Sequence, residues 1–445
     1  MKLPSSFWTS INLAVLAAGF FSAPAHVAHA AEAPLFKFQF GSGQVAPGCT
    51  AVAPDLAYIK EHGFGFEPGA AVTAPAGGGF ITSDRPFFFS VAVPEEGNYR
   101  VTVTLGDPAG ESITTIKAEL RRLMVEQLHT AAGQTGTVSF IVNTRTPKIR
   151  AVGDIKAGEV KLKAPRETTQ EAWAWDNLIT LEFNGARPCV RTVEIAKADV
   201  PTIFLLGDST VCDQSREPYN SWGQMLPRFF KPDVAVANHG ESGETYRDSI
   251  GRRRLDKILS VMKPGDTLIM QFGHNDQKQI AAGTGGPFTT YKAEIKQHVD
   301  AVRQLGGIPV IVSPMERRGF DDHGKVIPSL IEYADAARQV AQELDVAFID
   351  LNAMSKLFYE ALGPEKSMLA FAPTGPDKVD NTHHRAYGSY ELAKCIVQGI
   401  RDDKLAIAKY IVDDFPGFNP AHPDPVEKFA VPPSPQFTNL RPLGD

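Results

Sequence analysis

Short apolar runs, several of them alternating with polar residues, fill the sequence from residue 31 to residue 199. Glycine and asparagine separate them, as in Glu96-Gly97-Asn98. Short strands with one buried face and such turns predict an all-β sandwich. The strand candidates are 36–40, 87–93, 99–105, 138–142, 160–162 and 178–184. Residues 116–128 fit either a helix or a charged strand with a turn.

From residue 200 to residue 410, apolar runs alternate with segments of helical period. In one of those segments Ile295, Val299 and Val302 fall on the same helix face. The alternation predicts an α/β domain whose parallel sheet lies between two helical layers. Its strand candidates are 202–206, 234–237, 267–271, 308–312 and 346–349, and its helix candidates are 252–262, 292–305, 331–344 and 390–400.

The two ends of the chain have patterns of their own. Lys2, an apolar run at 11–21 and Ala28-His29-Ala30 together predict a secretory signal peptide at 1–30, cleaved after about Ala30. We therefore expect an exported protein, periplasmic or extracellular. A membrane anchor fits less well because the apolar run is short. Residues 411–445 are rich in proline and predict an extended tail over the surface.

Composition narrows the class of protein. The chain has 445 residues, of which 43% are hydrophobic and 22% charged, as in soluble proteins of two or three domains. A net charge of −6 does not indicate a basic surface that would bind nucleic acid. No run after the N-terminus is long enough to integrate into a membrane.

Four scattered cysteines leave the redox state open. Cys49 with Cys189 and Cys212 with Cys395 could form one bridge in each predicted domain, and four free thiols are the alternative. Their spacing does not indicate a zinc site, so we expect no metal. The predicted chemistry also requires no organic cofactor.

Polar clusters follow the predicted parallel strands and precede the last predicted helix. Carboxyl ends of parallel strands meet in one crevice, so we expect these clusters to lie together. The clusters are Gly207-Asp208-Ser209-Thr210, the run 238–243, Gly273-His274-Asn275-Asp276 and Asp380-Asn381-Thr382-His383.

The clusters contain the groups that ester hydrolysis needs. Ser209 can act as the nucleophile, His383 as its base, and Asp380 as the group that orients the imidazole. The backbone N–H groups of Ser209 and Gly243 and the side-chain amide of Asn275 can face the developing oxyanion. The alternative for Ser209 is a helix cap.

Other polar residues compete for these roles and fit structural ones better. His239 and His384 are alternative bases, but neither has a carboxylate three residues before it. His274 fits a structural hydrogen-bonding residue beside the oxyanion donor better than a second base. Asp208 fits the ordering of the nucleophile turn. Asp276 competes with Asp380 but has no histidine at a comparable spacing.

Aromatic and basic residues leave further alternatives open. Trp173 and Trp175 fit either a sugar-stacking platform or the core, with core slightly preferred. Tyr219, Asn220 and Trp222 fit the lining of a sugar site and core packing about equally well. The three arginines at 252–254 fit a solvated helix face better than an anion clamp.

The four clusters, in this order, resemble the conserved blocks of the SGNH (GDSL-like) hydrolases. The Gly-Asp-Ser-Thr and Asp-Asn-Thr-His runs further resemble the rhamnogalacturonan acetylesterase branch, carbohydrate esterases that act on acetylated plant cell-wall polysaccharide. The resemblance covers about 202–401 and implies a three-layer flavodoxin-like fold. It implies a catalytic triad of Ser209, His383 and Asp380. It also implies an oxyanion hole formed by the Ser209 amide, Gly243 and Asn275.

Two further comparisons with known families qualify this picture. The branch usually has Gly-Arg-Ser where this chain has Gly243-Glu244-Thr245, which keeps the glycine but changes the local charge. Residues 96–105 and 178–184 resemble galactose-binding-like jelly-roll modules attached to carbohydrate-active enzymes. The β domain at 31–199 is accordingly a candidate carbohydrate-binding domain.

The sequence thus predicts an exported serine esterase that deacetylates plant polysaccharide, with acetylated rhamnogalacturonan or another pectin as first choice. The alternatives are an acetylxylan esterase, an SGNH lipase or arylesterase, and a non-catalytic carbohydrate-binding protein. The expected partner is an acetylated polysaccharide or oligosaccharide, with no nucleic acid and no membrane integration. The oligomeric state is open.

Overall fold

A computed structural model of the chain describes Met1 and residues 33–435. Apart from Met1, the predicted signal peptide at 1–30 lies outside the described residues, as does the end of the predicted tail at 436–445. None of the helices in the described ranges has the length and apolar character needed to cross a bilayer.

Strands make up nearly all the regular structure before residue 200. They are β1 (Phe36–Phe40), β2 (Thr50–Val52), β3 (Phe64–Phe66), β4 (Ile81–Thr82), β5 (Phe87–Ala92), β6 (Gly97–Leu105), β7 (Ser112–Ala118), β8 (Arg122–Thr130), β9 (Gly136–Thr144), β10 (Lys148–Ile149), β11 (Gly158–Glu159), β12 (Leu178–Asn184) and β13 (Cys189–Lys197). One sheet has the order β2-β1-β13-β6-β9, with β4 added to β13, and the second has the order β3-β5-β12-β7-β8.

Apolar side chains from both sheets form one core between them. Phe38 of β1 and Phe89 of β5 meet edge to face with ring centroids 5.4 Å apart. Along β6, Tyr99 and every second residue after it are fully buried, whereas the residues between them are half-buried. This period of two confirms the β sandwich predicted from the sequence.

Residues 116–128 form a β-hairpin rather than a helix. Strands β7 and β8 pair antiparallel across this segment. Glu119 and Arg121 in the turn have φ of 55° and 64°, which a continuous helix does not allow. The alternative of a charged strand with a turn is the correct one.

Strands and helices alternate after residue 200. They are β14 (Thr202–Gly207), α1 (Trp222–Met225), β15 (Ala235–Asn238), α2 (Tyr246–Gly251), α3 (Arg254–Val261), β16 (Thr267–Gln271), α4 (Lys278–Ala281), α5 (Lys292–Gln304), β17 (Ile308–Val312), α6 (Ile331–Leu344), β18 (Ala347–Ile349), α7 (Leu351–Lys366), β19 (Phe371–Gly375), β20 (Lys378–His384) and α8 (Ala386–Asp402). Short 3-10 or π turns occupy Arg166–Gln170, Ala172–Ala174, Leu226–Phe229, Pro287–Tyr291, Ser367–Ala370, Ala406–Tyr410 and Val426–Lys428.

The second half has a parallel sheet of order β15-β14-β16-β17-β18. This order, with the second strand outside the first, is the flavodoxin-like arrangement. Leu205 of β14 packs in one core with Ile396 of α8, and Phe204 of the same strand packs in another with Ile295 of α5. Helices therefore cover both faces, and the predicted three-layer α/β fold is confirmed.

All four cysteines are free thiols, and the two possible bridges are absent from the described residues. The Cys189 sulfur lies 3.6 Å from the Thr82 hydroxyl, and the Cys212 sulfur lies 3.3 Å from the Ser242 hydroxyl. Each is satisfied by a hydroxyl neighbour rather than by a second sulfur. The alternative of free thiols is therefore the correct one in this structure.

Two buried arginines at the β7–β8 turn connect the sandwich to the α/β region. Arg121 donates to the backbone oxygens of Gln214 and Tyr219 at 2.9 and 3.0 Å. Arg122 forms a 2.7 Å ion pair with Asp213. All three acceptors follow β14 closely, so the sandwich supports that loop. The described chain from Pro34 onward forms one compact unit, and the domain boundary at 199/200 stays a prediction.

The proline-rich segment after residue 410 contacts both halves of the protein. Phe415 is buried in the α/β core. Farther along, Lys117 of β7 donates to the Pro432 backbone oxygen at 2.7 Å and to the Ser434 hydroxyl at 2.8 Å. The Ser434 hydroxyl in turn donates to Glu182 of β12 at 2.7 Å. The described part of the predicted tail is thus packed into polar and apolar contacts.

Candidate active site

Strand β14 ends in a tight turn that presents Ser209. Gly207 is required there because a Cβ at this position would lie 2.5 Å from the Gln271 backbone oxygen and 2.4 Å from Val211 Cγ2. The Asp208 carboxylate accepts from the Thr210 N–H and hydroxyl at 2.9 and 2.8 Å. Asp208 thus orders the turn, as predicted from the sequence.

Ser209, His383 and Asp380 form one hydrogen-bonded chain. The Ser209 Oγ lies 2.8 Å from His383 Nε2, and His383 Nδ1 lies 2.9 Å from Asp380 Oδ2. Partial burial alone would raise the pKa of the Asp380 carboxyl. Hydrogen bonds from the His383 ring and from two backbone N–H groups outweigh burial and hold that pKa below its ordinary value. The carboxylate is therefore ionised and oriented toward the imidazole.

A local bulge brings Asp380 and His383 to the same side of their strand. In the β19–β20 pair, Phe371 is opposite His384 and Pro373 is opposite Val379. Residues 380–383 therefore stand opposite a single residue and bulge outward. Asp380 Oδ1 accepts from the N–H groups of Thr382 and His383 at 2.7 and 2.9 Å, which closes the bend. The Asp380 carboxylate thus stabilises the bend that places His383 beside it.

The three predicted oxyanion donors each retain an N–H with no hydrogen-bond acceptor in the described part of the chain. These are the backbone N–H groups of Ser209 and Gly243 and one hydrogen of the Asn275 amide. The other hydrogen of that amide is donated to the Glu244 backbone oxygen at 3.1 Å. Gly243 is exposed, and its φ of +75° is a backbone conformation that favours glycine.

Side-chain amides tie the three loops together. Gln214 Nε2 donates to the Ser209 backbone oxygen at 2.7 Å and lies 3.4 Å from the Ser242 hydroxyl. The Asn275 amide connects the third loop to the second through Glu244. The Ser209 loop and the two loops that carry the other predicted donors are therefore connected by side-chain hydrogen bonds.

His239, His274 and His384 take structural positions. His384 is buried beside Tyr359, whose hydroxyl lies 2.9 Å from its Nε2, and burial lowers the pKa of His384 to about 3. Burial likewise lowers the pKa of His239 well below its usual value. His274 Nδ1 lies 3.3 Å from Asp208 Oδ2. The structure brings none of them into hydrogen-bond contact with the Ser209 hydroxyl.

Asp276 also has a structural position. Its Oδ1 accepts from the Tyr246 N–H at 3.3 Å, at the start of α2. Burial raises the pKa of Asp276 well above its usual range. A buried acid of this kind fits a hydrogen-bonding role between loops better than the orientation of a base.

The glutamate that replaces the usual arginine after Gly243 has a buried partner. Both carboxylate oxygens of Glu244 accept from Arg254 Nε, at 2.8 and 2.7 Å, and neither side chain is exposed. Arg254 also pairs with Glu167 at 2.7 Å. The expectation that 252–254 is a solvated helix face is therefore wrong for Arg254, because a long-range acidic partner compensates its burial.

The aromatic candidates belong to the core. Trp173 and Trp175 are only 5% and 8% exposed, and the Trp175 ring N–H donates to Glu167 at 3.0 Å. Trp222 is fully buried and donates to Gln271 at 2.8 Å. Tyr219 alone approaches the site, with its ring centroid 5.9 Å from that of His383. The core interpretation of the two tandem tryptophans is confirmed.

The structure adds residues that the sequence analysis missed. Arg317 donates to the Thr382 hydroxyl and, at 3.1 Å, to the His274 backbone oxygen, so it bridges two of the polar clusters. Lys163 donates to the Ser242 backbone oxygen at 2.5 Å, and Lys278 donates to Asn275 Oδ1 at 2.8 Å. A cation outside any motif gives no sequence signal for such contacts.

Among the described residues, no three or more His, Cys, Asp or Glu side chains form a cluster that could hold a metal ion. What the described geometry supplies is a hydroxyl with a base, a carboxylate behind the base and uncommitted N–H donors. Such a set suits nucleophilic attack on an ester carbonyl.

The chain is similar to known ester hydrolases. Residues 205–375 match the GDSL-like Lipase/Acylhydrolase family, and residues 36–142 match the family described as Beta-agarase/YXIM esterase-like, galactose-binding domain-like. The chain is 39% identical over 220 residues to rhamnogalacturonan acetylesterase RhgT of Bacillus subtilis (strain 168), across 47% of this chain and 94% of that protein.

Two further similarities extend over both halves of the chain. A protein named uncharacterized esterase YxiM, of Bacillus subtilis (strain 168), is 28% identical over 404 residues, across 85% of this chain and 93% of that protein. A crystal structure of YxiM has a TM-score of 0.44 and 23% identity, across 83% of this chain and 99% of that one. With its β domain of the galactose-binding-like class, the chain belongs to the GDSL-like lipase/acylhydrolase (SGNH) family of ester hydrolases.

Proposed function

We propose that this esterase removes acetyl groups from a plant cell-wall polysaccharide, with acetylated rhamnogalacturonan as the first substrate class. The observation that carries the proposal is the continuous Ser209–His383–Asp380 chain at 2.8 and 2.9 Å. The substrate class is supported by the 39% identity to an enzyme named rhamnogalacturonan acetylesterase, of which 94% is matched.

In the proposed reaction, Ser209 Oγ attacks the acetyl carbonyl while its proton passes to His383 Nε2. The oxyanion that forms accepts hydrogen bonds from the Ser209 and Gly243 N–H groups and the Asn275 amide. Collapse breaks the bond to the sugar oxygen, which takes the proton back from His383. Water then attacks the acetyl-serine with His383 again as base, and acetate leaves.

The β domain has a bracing role in this proposal. Its turn arginines hold the loop that follows the nucleophile, through the Arg122–Asp213 pair at 2.7 Å. Its two tandem tryptophans are buried and do not supply a stacking platform. Export also belongs to the proposal, because a polysaccharide substrate lies outside the cell and the leader pattern at 1–30 predicts secretion.

The chemistry is tested with the full chain and Ser209→Ala. We expect the variant to retain the wild-type unfolding midpoint and to lose p-nitrophenyl acetate hydrolysis by about 10⁴-fold or more. A variant that binds acetylated polysaccharide and releases acetate at the wild-type rate would disprove the serine mechanism. Wild-type protein that binds sugar but releases no acetate would instead identify a binding protein.

The substrate class is tested by two panels. On p-nitrophenyl acetate, butyrate and octanoate, an acetylesterase should lose activity steeply beyond acetate, whereas a lipase should prefer the longer chains. On acetylated rhamnogalacturonan, homogalacturonan and xylan, we expect the fastest acetate release from the first. Faster release from xylan would replace the proposed substrate with acetylated xylan while leaving the serine mechanism intact.

A further inference from the structure

Two of the three proposed oxyanion donors belong to amide groups whose oxygen atoms are bound by lysines. Lys163 Nζ donates to the Ser242 backbone oxygen at 2.5 Å. That oxygen belongs to the same peptide unit as the Gly243 N–H. Lys278 Nζ donates to Asn275 Oδ1 at 2.8 Å, the oxygen of the amide whose NH₂ is the other donor.

An amide is planar, so its oxygen and its N–H cannot turn independently. In a trans peptide the C=O and the following N–H point to opposite sides of the chain. A lysine that holds the Ser242 oxygen therefore directs the Gly243 N–H away from itself. The Asn275 amide is held at both ends, by Lys278 at its oxygen and by the Glu244 backbone oxygen at one hydrogen, which fixes the second hydrogen.

The two ammonium groups also act on the charge distribution of the amides. A hydrogen bond from a cation to a carbonyl oxygen is shorter and stronger than one between neutral groups. It draws electron density toward the oxygen and strengthens the N–H of the same amide as a donor. This matters most in the transition state, when the acceptor carries a full negative charge.

Lys163 reaches the donor loop from the other half of the chain. Its Nζ lies 3.5 Å from Glu244 and 3.9 Å from Glu241, and its backbone N–H donates to Glu167 at 2.7 Å. The same Nζ lies 4.0 Å from where a Cβ on Gly243 would be. The ammonium thus lies against the loop, and the segment before the α/β region contacts the site.

We propose that Lys163 and Lys278 are positioning residues that orient and polarise the Gly243 and Asn275 amides of the oxyanion hole. The inference rests on the proposed function, because those donors matter only if Ser209 attacks an ester. Each lysine acts on a different amide, so their effects should multiply. In this proposal, neither lysine contacts the substrate.

The test compares Lys163→Met, Lys278→Met and the double variant on p-nitrophenyl acetate. Methionine keeps the apolar stem but has no donor. Acylation and deacylation both pass through a tetrahedral oxyanion, so we expect kcat and kcat/KM to fall together, with KM unchanged. A weakened rather than deleted donor should cost about 10-fold for Lys163 and somewhat less for exposed Lys278.

Matched variants separate positioning from other effects. Lys163→Arg keeps a cationic donor and should retain most of the activity. Lys161→Met removes an exposed lysine from the same segment, and kcat should stay at the wild-type value. Unfolding midpoints identify any variant that loses its fold. If Lys163→Met loses its fold, the activities of Lys278→Met and Lys163→Arg test the proposal instead.

The outcomes distinguish this inference from the proposed function. If both Met variants stay within twofold of Lys161→Met while Ser209→Ala is inactive, the lysines do not position the donors and the serine mechanism stands. A higher KM with unchanged kcat would make them substrate-binding residues and would also overturn the inference. Activity that survives in Ser209→Ala would disprove the proposed function itself.

Discussion

At the scale of single residues, Asp380 has two tasks. Its carboxylate accepts the two N–H groups that bend the chain and also contacts the His383 ring. The bend between Asp380 and His383 is therefore stabilised by a residue of the same loop. The short Asp-x-x-His spacing is sufficient because the bulge supplies the reversal.

Asp380→Asn tests the orienting role. An amide can keep the loop contacts but cannot stabilise an imidazolium, so we expect kcat to fall by about 10⁴-fold with little change in the unfolding midpoint. Asp377→Asn, at an exposed position in the same hairpin, serves as the control and should stay at the wild-type rate. A fall of less than tenfold for Asp380→Asn would contradict the triad.

His384 makes a separate prediction about acid stability. Burial lowers its pKa to about 3 in the folded chain, against 6.5 ordinarily. Between these values the unfolded chain binds a proton that the folded chain does not, so stability is lost as the pH falls below 6.5. From pH 7 to pH 5 the loss from this residue should be about 2 kcal/mol.

The measurement for His384 is urea unfolding at pH 7 and pH 5. His384→Gln should remove this part of the pH dependence, so the wild type should lose more stability than the variant over that range. His323→Gln, in an exposed loop, is the control and should keep the wild-type slope. Equal slopes for the wild type and His384→Gln would show that His384 binds its proton in the folded state.

At the scale of elements, the β7–β8 hairpin supports the nucleophile loop from outside the α/β region. Arg122 is almost fully buried, and its guanidinium pairs with Asp213 and donates to the Asn143 backbone oxygen. Asp213 also accepts from the Asn238 amide at 2.8 Å, at the end of β15. One ion pair thus joins the hairpin, the nucleophile loop and a sheet strand.

Arg122→Met should destabilise the protein by about 3–5 kcal/mol, because it leaves the Asp213 carboxylate buried with fewer partners. The double variant with Asp213→Asn should recover part of that loss, since no unpaired charge remains. The free energy of unfolding from urea titration measures both. Arg85→Met, at an exposed pair, should change it by about 0.5 kcal/mol or less. A similarly small change in the free energy of unfolding for Arg122→Met would show that the hairpin does not stabilise the loop after β14.

At the scale of the whole molecule, the C-terminal segment connects the sandwich to the α/β region. Lys117 and Glu182 are buried on neighbouring strands of the sandwich, 3.7 Å apart. Both are completed by the far end of the chain, through Ser434 and the Pro432 oxygen. Residues 432–434 are thus part of the folded unit.

Ending the chain after Val431 should lower the free energy of unfolding on the order of 3 kcal/mol, because charged buried groups lose their hydrogen bonds. A chain that ends after residue 435 keeps every one of these contacts and should not show this loss. Guanidinium unfolding of both truncations checks this. Equal stability of the two would show that the Lys117–Glu182 pair needs no help from the tail.

The elements that the sequence predicts well are those with local, periodic signals. All five sheet strands and the one-sided α5 follow from apolar runs because their side chains are buried by neighbours of the same kind. The hairpin at 116–128 stays ambiguous because its charged residues are buried by partners far away in the chain. Arg254 is misjudged for the same reason, since Glu167 and Glu244 compensate its charge.

By itself, the sequence determined the β sandwich, the three-layer α/β fold and the positions of the four polar clusters at strand ends. Periodicity and strand-end motifs are local properties, so the sequence pattern is sufficient for them. The tertiary structure decided which polar atoms meet: the bulge that aims His383 at Ser209, the free thiols, and the lysines behind the Gly243 and Asn275 amides. A charged side chain is stable in the interior only beside its partner. That partner is chosen by packing between distant segments, which no local pattern encodes.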